Sequence, residues 1–168
     1  ADLAPRGALG GAILRSPVAH ARIRGIDTSR ARAMPGVRAM VTGDDCAIPY
    51  GVIPIAQNEF PLARDRVRYC GEPLAAVAAD DAATAQAALA AIELDLEPLP
   101  AYFDAASARA EGAVQLHEGK PGNLERAVEQ TFGDVDGGFA AADLVREHTF
   151  HYAEVNHAMM EPNAAVAH

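Results

Sequence analysis

The spacing of apolar positions changes several times along these 168 residues, and each change predicts an element. "ALGGAILRS" (8–16) and "ARIRGIDT" (21–28) are apolar-rich, and in the second Ile23, Gly25 and Asp27 alternate with Arg22, Arg24 and Ile26. A period of two predicts strands, here flanking the proline-containing connection "PVAH". "SRARAM" offers one helical turn, stopped by the "PG" at 35–36, and "VRAMVTG" (37–43) is a third strand.

Residues 44–66 keep no period and carry Pro49, Pro54 and Pro61, so they are expected to be a long irregular excursion. "GEPLAAVAA" (71–79) is short and apolar at almost every position, the pattern of a strand buried on both faces. In "DDAATAQAALAAIE", Ala85, Leu89 and Ile92 recur at spacings of four and three behind a cap at Asp80 or Asp81, which predicts a helix. "LDLEPLP" (94–100) completes a strand-helix-strand unit, whose strands run parallel by default if they share a sheet. The order predicts an α+β layer on one continuous sheet face.

"YFDAASARAEGAVQLHEGKPGNL" is dominated by turn residues and reads as a surface linker. "DVDGGFAAAD" (134–143) predicts a short helix capped by Asp134 or Asp136, and "LVREHTFHY" and "EPNAAVAH" predict two strands of a second unit. The expected division is 1–105 for the first domain, 106–124 for the linker and 125–168 for the start of another. The last piece is too short to bury a core of its own.

Composition narrows the function classes. Half the residues are apolar but Trp is absent, so the core is expected to rest on Ala, Val, Leu and Ile. The net charge of −9 is uneven: residues 1–40 carry seven Arg against Asp2 and Asp27, a local +5 that leaves −14 elsewhere. These arginines alternate with apolar residues and have no aromatic neighbours to stack bases, which argues against a nucleic-acid arm. Cys46 and Cys70 stand apart without a C-x-x-C pairing and read as reduced, buried thiols. No signal-peptide pattern and no apolar run of about 20 residues occurs, and the expectation is a cytoplasmic protein.

Candidate chemistry is sparse. His148 and His151 lie three apart, on opposite faces of a strand, so with Glu147 and Glu154 they read as a solvated edge rather than a metal site. No Walker loop or dinucleotide fingerprint is present. Ser16 near His20 lacks the turn and base geometry of a nucleophile, and Arg15 and His20 are expected to tie a loop down. Asp80 and Asp81 fit helix capping, and Glu161 has no second acid at a useful spacing.

Several longer stretches carry more information. "ILRSPVAHARIRGIDTSRA", "PGVRAMVTGDD", "VRYCGEPLAAVAADDAATA", "IELDLEPLPA", "FGDVDGGFAAADLVREHTF" and "NHAMMEPNAAVA" occur in the order and spacing of the molybdopterin-binding large subunit of the xanthine dehydrogenase family, which the chain resembles from end to end. The resemblance implies a hammerhead-type α/β domain followed by the first strands of a molybdopterin-binding domain. Within the family, "YGVIPIAQNEFPLARDRVRY" (50–69) and "AEVNHAMMEPNA" (153–164) are most similar to the 4-hydroxybenzoyl-CoA reductase branch.

That branch implies reductive removal of a phenolic hydroxyl from an aromatic CoA thioester, with a molybdenum-pterin cytosine dinucleotide on the large subunit. It also implies partner subunits carrying iron-sulfur clusters and FAD, and a ferredoxin as electron donor. The family's Gly-Gly-x-Phe-Gly segment and its Gly-x-Gly-Glu glutamate do not occur in these residues, so the resemblance assigns no catalytic residue and no metal ligand. Proximity to the cofactor is implied only for Val155, Asn156, His157 and Glu161. Val155 stands where xanthine-oxidising relatives carry a glutamine, which argues against purine hydroxylation.

Two alternatives remain at this point. The chain is an amino-terminal piece of a molybdenum reductase, or of a relative that oxidises aldehydes, xanthine or N-heterocycles; or it is a free-standing, non-catalytic hammerhead module. Unpaired strand edges in 125–168 favour the piece, inactive alone, with His168 as a cut edge.

Overall fold

The computed structural model describes residues 4–54, 57–156, 158–161 and 163–167. Backbone proximity divides it into a unit Pro5–Leu124 and a second comprising Ala1–Ala4 and Glu125–His168.

The first unit contains strands β1 (Gly10–Arg15), β2 (Ala21–Asp27), β3 (Val37–Thr42), β4 (Arg66–Val67), β5 (Pro73–Ala79) and β6 (Glu93–Pro98), with helices α1 (Ser29–Arg32), α2 (Ala82–Ala90) and α3 (Ala105–Ala108). The periodicity anticipates β1, β2, β3, β5, β6, α1 and α2 but not β4 or α3, and the arrangement differs from the expected one. There are two three-stranded sheets, β1-β5-β3 and β4-β2-β6, and every ladder is antiparallel. The continuous sheet face is therefore not formed, and the strands either side of α2 do not run parallel in one sheet.

Side-chain demand accounts for the split. β5, apolar throughout, takes the centre of the first sheet, where Ala12, Met40, Val77 and Ala79 pack on Ala85, Ala88 and Leu89 of α2. β2 carries Arg22 and Arg24, and β6 sets Glu97 beside both at 3.3 and 2.6 Å. Arg30 likewise meets Glu93 and Arg38 meets Asp80, so the basic start of the chain folds onto its acidic remainder. These pairs are well exposed and add little stability individually. Leu74, Val67, Ala21 and Ala63 form a second small core, in which burial of Leu74 or Val67 contributes about 1.5–3 kcal/mol each.

α2 starts where the sequence predicts, with Asp81 accepting from the Thr84 N–H at 2.7 Å. Gly10 sits against this start so closely that a Cβ there would lie 2.5 Å from the Ala82 nitrogen. Neither cysteine is buried as expected: Cys46 is half-buried after a short 3₁₀ turn, and Cys70 is exposed in the tight turn before β5. Both thiols are free.

In the second unit, α4 (Val135–Ala141) forms, capped by Asp134, which accepts from Gly137 N–H at 2.9 Å. The two strands expected in "LVREHTFHY" and "EPNAAVAH" are absent among the described residues. A strand is completed by a neighbour's backbone groups, and none pairs with these segments.

Candidate functional site

The residues implied to lie near a cofactor fall in that unpaired tail. Val155 is 89% exposed and Glu161 is exposed, while His157 lies outside the described residues. The Oδ1 of Asn156 accepts the Ala158 N–H at 2.6 Å, closing a tight turn in which Ala158 adopts φ +48°. His148 makes a tilted ring contact with Phe150 at 6.2 Å, and Glu147, His151 and Glu154 are exposed. No group of three metal-ligating side chains comes together among the described residues. These described residues do not by themselves form a cradle for a pterin or its metal.

The best-built polar cluster lies instead in the first unit, where three segments, 15–20, 68–72 and 99–103, are tied together. Ser16 N–H donates to Glu72 O and Gly71 N–H donates to Ser16 O, both at 2.9 Å. Arg15 Nη1 reaches Gly71 O at 2.9 Å, and Leu99 N–H donates to His20 O at 3.0 Å. His20, only 4% exposed, contacts Pro100 O through Nδ1 at 2.6 Å. A carbonyl can only accept, so Nδ1 carries the hydrogen, and the buried Nε2 has no partner among the described residues. Arg15 and His20 thus tie loops down, as expected. Ser16 Oγ is engaged with both backbone groups of Val18 and forms no pair with His20.

This knot frames a cavity of about 310 Å³ whose walls include His20, Arg68, Tyr69, Cys70, Tyr102 and Leu116. Burial pushes the Glu72 carboxyl up, partly offset by the Arg68 N–H that it accepts. Burial also raises the Tyr69 phenol, with the Glu72 charge adding to it. Arg68, Glu72 and Tyr102 were not singled out by spacing: an irregular turn sets Glu72 against Arg68, and Tyr102 joins the same cavity from a distant segment. Asn123 was missed too, although "PGN" at 121–123 is a turn signal. The cluster holds no nucleophile-base pair among the described residues, and its bonds, backbone to backbone and side chain to backbone, tie separate segments together, so it organises the domain.

Two small antiparallel sheets flanked by short helices, followed by a unit with one short helix and no strand among the described residues, make a hammerhead α/β domain and the start of a molybdopterin-binding domain. Residues 1–100 match the aldehyde oxidase and xanthine dehydrogenase a/b hammerhead domain, and residues 116–168 match the molybdopterin cofactor-binding domain. The chain belongs to the aldehyde oxidase and xanthine dehydrogenase family.

It is 35% identical to the aldehyde oxidoreductase of Megalodesulfovibrio gigas, over 98% of this chain and 19% of that one. It is 36% identical to the nicotinate dehydrogenase large molybdopterin subunit of Eubacterium barkeri, over 93% of this chain and 36% of that one. The solved aldehyde oxidoreductase from Desulfovibrio gigas superimposes with a TM-score of 0.66 at 33% identity, covering 83% of this chain and 16% of that one. The chain therefore spans between about a fifth and about a third of the length of these two relatives. No helix among the described residues is long and apolar enough to cross a membrane.

Proposed function

We propose that this chain is the amino-terminal part of the large subunit of a cytoplasmic molybdenum-dependent oxidoreductase and is inactive alone. The observation that carries this reading is the succession within one chain. A packed hammerhead domain leads into a cofactor-domain start whose Phe150, Tyr152, Val155 and Met160 stand exposed, apolar groups in need of a neighbour. The remainder of the subunit supplies the catalytic residues. In this reading 153–161 borders the site, with Val155 offering substrate contact but no hydrogen bond.

The molybdenum group, taken here as the pterin cytosine dinucleotide form, supplies two-electron chemistry at a ring or carbonyl carbon when bound. Partner subunits with iron-sulfur clusters and FAD pass the electrons. For the substrate we favour 4-hydroxybenzoyl-CoA, on the likeness carried by 50–69 and 153–164. Its reductive dehydroxylation consumes two electrons, delivered by a ferredoxin, and two protons, and releases water. The second reading, hydroxylation of an aldehyde or N-heterocycle with water as oxygen source, draws support from the relatives named for aldehyde and nicotinate. Assay of the intact complex separates them. Benzoyl-CoA formed from 4-hydroxybenzoyl-CoA with a low-potential donor supports the first, whereas aldehyde or nicotinate oxidation with no dehydroxylation moves the enzyme to the second.

A further inference from the structure

We propose that the face of the β1-β5-β3 sheet opposite α2 is a docking surface for chain of the same large subunit lying outside these 168 residues. This inference rests on the reading of the chain as part of a longer subunit. The register sets Ile13, Ala76 and Val41 side by side across the three strands, and Gly11, Ala78 and Ala39 in the next row. None of the six is polar. Ile13 is 48% and Val41 37% exposed, and a Cβ built on Gly11 would meet nothing within 4 Å.

The second sheet of the same unit provides the contrast. There, Ile23 pairs with Leu96 and Ile26 with Leu94 toward the core, while Arg22 pairs with Glu97 and Asp27 with Glu93 away from it. That is the alternation of an antiparallel sheet with one face in water. β5, "PLAAVAA", has no such alternation, and its sequence is that of a strand covered on both sides. α1 and α2 cover only one side, and the small Gly and Ala side chains on the other allow a helix or sheet to approach closely.

Size argues for the occupant. Strands about 4.8 Å apart, with same-face residues about 6.8 Å apart, give a patch on the order of 200 Å². A stable interface between separate proteins needs about 800 Å² per partner, so this face alone does not hold a second copy. A segment tethered to the same chain faces no such threshold, because tethering supplies a high effective concentration. The Megalodesulfovibrio gigas relative carries the matching region as 19% of its length, so ample chain is available in such a subunit.

Two measurements on the assembled complex test this. Val41→Cys is expected to react with maleimide at least tenfold more slowly than Arg24→Cys on the charged face of the other sheet. A diazirine amino acid installed at position 13 is expected to cross-link, on peptide mapping, to large-subunit residues beyond 168. Labelling of both cysteines at one rate, or cross-links to another subunit or a second copy, would overturn the proposal. Molybdenum content of the same preparation reports separately on the functional reading: a cross-link within a subunit that lacks molybdenum refutes that reading and not this one.

Discussion

The side-chain amide of Asn123 donates to the carbonyl of Val114 at 3.0 Å, fastening the irregular chain after β6 back on itself. The same Nδ2 reaches Ala108 O at 2.8 Å, and Oδ1 accepts the Leu116 N–H at 2.7 Å. Asn123 sits at φ +54°, a left-handed position that asparagine tolerates better than most residues. Three contacts at about 1 kcal/mol each predict that Asn123→Ala destabilises the domain by about 2–3 kcal/mol. Asn123→Gly relieves the backbone but not the lost bonds, and urea unfolding should rank it between alanine and the parent.

Leu74 is fully enclosed between the two sheets' residues, whereas Leu144 is exposed. Leu74→Ala is expected to cost about 2–5 kcal/mol, since it removes buried methyl groups and leaves a cavity. Leu144→Ala is expected to change stability of the 168-residue chain by under about 0.5 kcal/mol. Denaturant midpoints measured side by side check the pair.

Gly10 gives a steric test. An alanine Cβ at this position would press on the Ala82 backbone, which cannot yield as a flexible side chain would. Gly10→Ala should cost about 1–3 kcal/mol, while Gly11→Ala, facing open space, should be tolerated. Thermal unfolding of the two variants separates them.

Two carboxylates are expected to respond to pH in opposite directions. Backbone hydrogen bonding from Thr84 holds Asp81 below the usual range, so its contribution is present above the unfolded carboxyl pKa and is lost as pH falls through the folded one. Burial holds Glu72 above the usual range, so its contribution is full below the unfolded pKa and is lost as pH rises through the folded one. Glu72→Gln should therefore flatten the decline in stability on the alkaline side of the usual carboxyl range. Asp81→Asn should flatten the decline on its acidic side. Melting temperatures across pH 3–8 read both.

Local elements were largely legible in the sequence because period and caps are local signals. The spacing of Ala85 and Leu89 behind Asp81 gave α2, and the alternation through Arg22 and Arg24 gave β2. Sheet partnership was not legible. Whether β5 pairs with β6 or with β1 and β3 depends on long-range packing, and here the arginines of β2 met the acids of β6 instead. The knot around His20 was half legible: Arg15 and His20 were expected to anchor a loop, but Arg68, Glu72 and Asn123 reach it only through turns. The tail failed for a different reason. Its strand-like pattern is a local signal, and no partner strand meets it among the described residues.

Elemental analysis tests the central claim most directly. The full-length gene product that includes these residues, purified with its native partners, should hold about one molybdenum per large subunit, released with a pterin on denaturation. A full-length product that folds with its partners and contains no molybdenum or pterin would contradict the account.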